Sequence, residues 1–354
     1  MANKLNIGII GCGGISGAHM PNILKTPEIR LVATMDIVED GTRSDGRRIG
    51  ARVRAEEGQA EYYTTDLDRL LSDPDIDAVL ICSTHDTHAD IAVKACAAGK
   101  HIFAEKPLTM TLDEARRVQK AVHESGVQLM SGWWFKHSPV TKRLREVIGR
   151  PYYILFTCRV SYPNPDDPDG PYGRNGILDN SGYNLHWIWH VMRSQPVEVF
   201  AMGYEGRSTN TSTIVIRFAN GGVGNSVYST VGSGGILPKH YAEVLAGEVS
   251  AATARFGNLV FQGTDAPGIK QNYYHNGFDE EMGLFARLCL EGGPNPMDAW
   301  EACVPTLIFE KAVESMHTHQ PVSVNIQDEF YLPDGKLPVS IEKFGDVDDE
   351  TLLR

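Results

Sequence analysis

Residues 7–19 read IGIIGCGGISGAH, continuing an apolar run that begins at Leu5. LNIGII (5–10) is too short and too continuously apolar for an amphipathic helix, so it reads as a buried parallel strand. Gly11 and Gly13 follow it directly and precede a helical pattern that Gly14 and Ile15 open. Where side chains are absent, backbone N–H groups can approach a pyrophosphate, and the dipole of the following helix favours its charge. Ser16 stands where a third glycine usually falls, and by themselves these glycines could be ordinary turn residues. RLVATMD (30–36) strengthens the reading. It looks like the second strand and ends in Asp36, a carboxylate that can accept both ribose hydroxyls of NAD and would repel a 2′-phosphate. NAD is expected over NADP. The gap from Gly11 to Asp36 is longer than usual, Arg43 and Arg47 leave a minor NADP route, and an acidic residue at a strand end can also cap a helix.

Working outward, DAVLIC (77–82) is a second buried strand. In THADIAVKACAAG (87–99), Ile91, Ala95 and Ala98 fall at helical spacing and Gly99 stands at the helix stop. KHIFAEKP (100–107) supplies another strand. Strands alternating with helices predict a doubly wound parallel sheet, an NAD-binding domain over residues 1–130. Beyond it the pattern changes. TSTIVIRFANGGVGNSVYSTV (211–231) puts Ile214, Ile216 and Phe218 on one face, with Asn220-Gly221 turning an antiparallel hairpin. Residues 131–354 are therefore expected to form a second, α+β domain with an open, largely antiparallel sheet. SYPNPDDPDGPYGRNG (161–176) reads as a long loop.

The chain has 354 residues, 42% hydrophobic and 22% charged, enough to bury a sizeable core in about two domains. Its net charge of -12 provides no basic field for nucleic acid or an anionic membrane and suits a small uncharged substrate. No apolar run approaches the roughly 20 residues that span a bilayer, and no signal-like start is present, so a cytoplasmic location is expected. Six cysteines without a Cys-x-x-Cys pair predict free thiols rather than a disulfide or zinc framework.

DAVLICSTHDTHADIAVKACAAGKHIFAEKP (77–107) resembles the signature of the glucose-fructose oxidoreductase, inositol dehydrogenase and MocA family. His88, Gly99, Lys100, His101, Glu105, Lys106 and Pro107 match it, while Ser83, Thr84 and His85 replace a common Thr-Pro-Asn turn. GWWFKHSP (132–139) and residues 278–324 extend the resemblance. It implies a Rossmann domain, NAD, a polyol or sugar substrate, and a substrate-binding and oligomerisation role for residues 131–354, whose sheet would form a homodimer or homotetramer. It also implies that Lys106 is catalytic, beside the nicotinamide and the substrate hydroxyl. Lys106 follows a strand at the carboxyl edge of the sheet, where a cationic ring would ease loss of its proton. Ser83, His85, His88 and Glu105 join the cofactor-binding candidates, though a His near a helix start can also be a polar neighbour of the cap.

The family's second signature, Leu-x-Asp-x-Gly-x-His, aligns with LDNSGYN (178–184), so Asn180 and Asn184 occupy its Asp and His positions. Asparagine cannot exchange a proton near neutral pH. These two residues are expected to orient substrate hydroxyls, Lys106 to carry the proton, and Tyr183 to be a further catalytic candidate. Pairing Asp179 with Tyr183 instead would restore an ionisable pair. A helix starting near 184 would turn His186 away from Asn184. His186 and His190 are four apart but lack an identifiable third ligand, so they are expected to be packed rather than metal-binding. His240 and His275 are unassigned candidates, and Tyr162, Tyr172, Trp133 and Trp134 would suit a carbohydrate. The expected activity is NAD-dependent dehydrogenation of a sugar, glycoside or cyclitol hydroxyl, with glycoside 3-dehydrogenation one form. A non-catalytic NAD-binding sensor and redox-assisted glycoside cleavage are the alternatives.

Overall fold

The computed structural model describes residues 4–43, 46–159, 176–204, 211–229, 238–270 and 277–342, with backbone alone at 176–181, 204 and 342. The long loop 161–175 with Tyr162 and Tyr172, and His275, lie outside the described residues. The chain divides into two units, Met1–Gly132 with Asp279–Ala302, and Trp133–Phe278 with Cys303–Arg354.

In the first unit, β1 (Leu5–Ile10), β2 (Ile29–Met35), β3 (Tyr62–Thr64), β4 (Ala78–Ile81), β5 (His101–Glu105) and β6 (Leu129–Gly132) form one parallel sheet. Their order is β3-β2-β1-β4-β5-β6. Direction of winding reverses between β1 and β4, which opens a crevice at the carboxyl ends of those strands. Ile7, Ile9, Leu80, Ile81, Ile102 and Phe103 are buried, as continuous apolar strands in a covered sheet require. Helices α1 (Gly14–Lys25), α2 (Ala51–Gly58), α3 (Leu67–Leu71), α4 (His88–Ala97) and α5 (Leu112–Ser125) connect them. Side-chain caps start two of these: Asp66 accepts the Asp68 and Arg69 N–H groups, and Thr111 accepts that of Glu114. At the opposite, amino edge of the sheet, the buried Lys100 ammonium donates to the carbonyls of Asp73 and Ile76, both at 2.7 Å. That part of the 77–107 motif is structural.

The sequence reading put 279–302 with the second domain. Here α9 (Phe278–Glu291) buries Met282, Phe285, Ala286 and Leu288, and Phe285 meets Phe103 edge-on with centroids 5.6 Å apart. Asn295 Nδ2 donates to the Leu129 carbonyl at 2.7 Å, and the Ser131 N–H to that of Met297 at 2.9 Å. An amphipathic pattern specifies which helix face is buried, but not which sheet receives it.

In the second unit the strands are β7 (Tyr153–Arg159), β8 (Pro196–Tyr204), β9 (Thr211–Phe218), β10 (Val223–Ser229), β11 (His240–Ala246), β12 (Val249–Ala254), β13 (Asn258–Gln262), β14 (Ile269–Lys270) and β15 (Val322–Ser323). They form a sheet ordered β14-β13-β12-β11-β7-β10-β9-β8-β15, antiparallel except for β7 with β10. Ile214, Ile216 and Phe218 share the buried face, and Gly221 turns the β9–β10 hairpin with its N–H on the Phe218 carbonyl at 2.9 Å. After α6 (Trp134–His137) and α7 (Pro139–Val147), helix α8 (Gly176–Met192) packs on β10 and β7. It begins eight residues before the expected start near 184, so LDNSGYNLHW (178–187) lies wholly inside a helix rather than capping one. No disulfide joins any of the six cysteines, and among the described residues no helix is long and apolar enough to cross a membrane.

Candidate active site

The glycine loop occupies the crevice between β1 and β4. Gly11 has φ +91°, and a Cβ there would stand 2.4 Å from the Ser83 nitrogen, so both backbone conformation and the neighbouring strand demand glycine. Gly13 is the N-cap of α1, and a Cβ on it would meet nothing within 4 Å. The first turn of α1 has no acidic residue and no side-chain cap. Its N-terminus thus presents backbone donors to open space, a cradle that fits a pyrophosphate. Ile15 is 37% exposed beside it, and the Arg43 Nη1 lies 2.6 Å from where a Cβ on Gly14 would stand.

Asp36 follows β2 at the same edge. Its Oδ2 accepts the Cys12 N–H at 2.6 Å and its Oδ1 accepts the Val38 N–H at 2.9 Å. These bonds aim the carboxylate and leave each oxygen a second lone pair, the acceptor pair that two ribose hydroxyls need. The donor set fits NAD, whose nicotinamide would supply the hydride acceptor.

Lys106 leaves β5 at that edge too, half-buried and followed by a cis peptide bond to Pro107. Glu105 turns inward, where its Oε1 lies 2.6 Å from Nε2 of the fully buried His19 and its Oε2 accepts the Lys106 N–H at 3.2 Å. Burial raises the Glu105 pKa, but the His19 hydrogen bond and charge, with Lys106 and His88, outweigh it and hold the carboxyl below its ordinary 4.5. Glu105 is therefore a buried support for the lysine turn. His88 is fully buried as well. Its Nδ1 lies 2.9 Å from the Pro107 carbonyl and its Nε2 3.1 Å from that of Ser83, a strut joining the β4 and β5 turns rather than a cofactor contact. Burial lowers its pKa against both carbonyls. His85 is half-buried with its ring 5.7 Å from that of His88, and Ser83 Oγ lies 2.7 Å from the Thr87 hydroxyl.

In the second unit, Asn184 is fully buried and its Nδ2 donates to Ser226 Oγ at 3.1 Å and the Val227 carbonyl at 3.4 Å. The expected hydroxyl-orienting side chain thus braces α8 on the sheet. Tyr183 is half-buried against Phe135, Trp133 and Trp134, with centroids 4.5, 5.7 and 6.3 Å away. Trp133 is 1% exposed and offers no open face, whereas Trp134 is half-buried. The Asp179 and Asn180 side chains lie outside what is described. His186 lies tilted against Trp133 with ring centroids 4.8 Å apart, and Arg145 Nη1 donates to His190 Nε2 at 2.7 Å; both histidines are buried packing residues. His240 is buried among Phe135, Phe156 and Phe256.

The first unit thus gathers Gly11, Gly13, Gly14, Ile15, Asp36, Ser83, His85 and Lys106 at one sheet edge, and buries His88 and Glu105 beneath it. Sequence reasoning missed His19, which lay within the quoted glycine stretch but gave no hint of a partner 86 residues away.

Residues 5–133 match the model of the GFO/IDH/MocA oxidoreductase family with an NAD-binding Rossmann fold. A myo-inositol 2-dehydrogenase of Thermotoga maritima is 30% identical over 234 residues, 62% of this chain and 67% of that protein. The chain belongs to the GFO/IDH/MocA family. An oxidoreductase of Bacillus subtilis, YrbE, extends the similarity to 92% of the chain and 98% of its own length at 29% identity. The fold of a levoglucosan dehydrogenase solved with NADH superposes with a TM-score of 0.78 over 91% of this chain and all of that one, at 21% identity. Family membership makes the chain an NAD-binding oxidoreductase, and the glycine cradle and Asp36 are the parts that fit the cofactor.

Proposed function

We propose that this protein oxidises a secondary hydroxyl of a sugar, glycoside or cyclitol with NAD, and that Lys106 carries the proton. The observation that carries the reading is the position of Lys106 at the carboxyl edge of β5, beside the β1–β4 crevice that holds the glycine loop. As the carbinol C–H leaves as hydride, the neutral Lys106 amine takes the O–H proton and the alcohol becomes a carbonyl; in reverse its ammonium returns that proton. The inositol dehydrogenase relatives support the substrate class. Glycosides, including their 3-hydroxyls, belong in it because asparagine stands at both ionisable positions of the second signature.

With Asn184 engaged by the sheet, we assign substrate positioning on α8 to Tyr183 and to Asn180, one helical turn before Asn184. Trp134 beside Tyr183 supplies a flat apolar surface for a carbohydrate ring. The outward sheet face exposes Phe200 36%, Met202 67%, Leu245 41% and Val260 60%, which supports a homodimer or homotetramer through this sheet. Light scattering on the purified protein and a Met202→Asp variant tests that assembly.

The activity test adds NAD and a panel of polyols, free sugars and glycosides, follows NADH absorbance, and uses Lys106→Ala as control. NADH formed with one substrate class and lost in the variant is the expected result. Tight NAD binding with no NADH from any substrate, even with a carbonyl acceptor to recycle retained cofactor, replaces the dehydrogenase with an NAD-binding sensor.

A further inference from the structure

We propose that Arg54, acting with Ser16 and Gly17, is the positioning residue that sets the glycine loop for the cofactor's pyrophosphate, taking over the place of the missing third glycine. Arg54 lies on α2 and is only 5% exposed. Its Nη2 donates to the Gly13 carbonyl at 2.9 Å and its Nε to Ser16 Oγ at 3.2 Å, while Nη1 pairs with Glu57. The Ser16 hydroxyl in turn donates to the same Gly13 carbonyl at 2.9 Å. Two donors thus converge on the carbonyl of the residue that caps α1.

Gly17 makes this possible. A Cβ at residue 17 would stand 2.7 Å from Arg54 Nη2 and 3.0 Å from its Cζ, so any side chain there displaces the guanidinium. The absent third glycine would ordinarily let the helix pack closely on the sheet. Here Ser16 fills that position and becomes a hydrogen-bonded link, and the glycine moves one residue on to admit an arginine. The consequence is electrostatic as well as geometric. With the Gly13 carbonyl held inward, its oxygen is kept from the face where phosphate oxygens bind, and the open side of the loop presents N–H donors. The guanidinium, paired on its other side with Glu57, lies behind the loop near the positive end of α1. Its forked donors are what let it hold Gly13 and Ser16 together.

This inference rests on NAD binding by the first unit, not on the substrate proposed above, and its test contains no substrate. Calorimetric titrations of the full chain with NAD, ADP-ribose and adenosine compare the parent protein with Arg54→Met, Arg54→Lys, Ser16→Ala and Gly17→Ala. Arg54→Met is expected to weaken NAD and ADP-ribose by about 10–100-fold, the scale of charge-assisted hydrogen bonds, and adenosine by less than about threefold. Gly17→Ala should reproduce that split, and Arg54→Lys, which keeps the charge but not the fork, should fall between. Equal losses for all three ligands would show that Arg54 only supports the fold and would overturn the proposal. So would a loss of NAD affinity below about threefold. If Arg54→Met does not fold, Arg54→Lys and Ser16→Ala make the same comparison.

Discussion

Asp36→Asn removes one negative charge from the nucleotide site at nearly constant volume. The carboxylate accepts the Cys12 N–H on Oδ2 and the Val38 N–H on Oδ1, whereas asparagine has one acceptor oxygen. Cys12 is wholly buried and Val38 is 40% exposed, so the amide oxygen should turn to Cys12 and leave the Val38 N–H to water. Exchanging one exposed bond for water costs about 1 kcal/mol or less, against about 1–3 kcal/mol for an unmet buried donor. The Tm should therefore fall by only about 2–4 °C. Cofactor selection should change far more. A hydroxyl bond to a carboxylate, about 1.5–3 kcal/mol, becomes a neutral one of about 0.5–1.5 kcal/mol, a loss of roughly tenfold in NAD affinity. A 2′-phosphate carries about -1.5 to -2 charges, and at roughly 5 Å even a water-like dielectric gives about 1.2–1.7 kcal/mol of repulsion that the amide abolishes. NADP should gain roughly tenfold, so the NAD-to-NADP preference should fall by roughly 100-fold. Calorimetric titration with both cofactors beside a thermal melt measures all three quantities. A preference that moves less than about threefold would refute the assignment of Asp36 as the ribose acceptor.

Lys106→Ala should reduce NADH formation by at least about 100-fold with NAD affinity held within about threefold; an equal loss of NAD affinity would make the lysine a binding residue instead. Gly11→Ala forces a side chain into a left-handed backbone, about 1–2 kcal/mol by itself, and onto the Ser83 nitrogen 2.4 Å away. It should lower both Tm and NAD affinity, and a variant with parental affinity would show that the loop does not carry the pyrophosphate. Burial holds the His88 pKa below its ordinary 6.5, so the folded ring is neutral while the unfolded one gains a proton first. The stability it contributes is complete above pH 6.5 and is lost as pH falls from there through the folded value. Melts at pH 7.5 and 5.5 should show a steeper loss for the parent than for His88→Gln, and identical slopes would contradict a buried neutral imidazole.

The sequence by itself determined the Rossmann architecture and which candidate residues stand at the carboxyl edge of its sheet. β1, β4 and β5 were legible because strands covered on both faces must be uniformly apolar. The positions of Gly11, Gly13, Asp36 and Lys106 were legible because each lies within three residues of the end of β1, β2 or β5, where a local pattern identifies the carboxyl edge. The hairpin at Asn220-Gly221 could be read for the same reason, since its turn and alternation are contained in one short segment. Tertiary structure alone decided what faces what. Arg54 reaches Gly13 across 41 residues and His19 reaches Glu105 across 86, contacts created by strand order and helix packing rather than by spacing. His88 matched a motif yet became a strut because two strand turns close on it. Asn184 matched another, yet its amide nitrogen meets β10, since helical periodicity fixes which residues share a face but not which surface that face meets. The same ambiguity hid the membership of α9 in the first unit, because an apolar stripe specifies burial and leaves its partner to the fold.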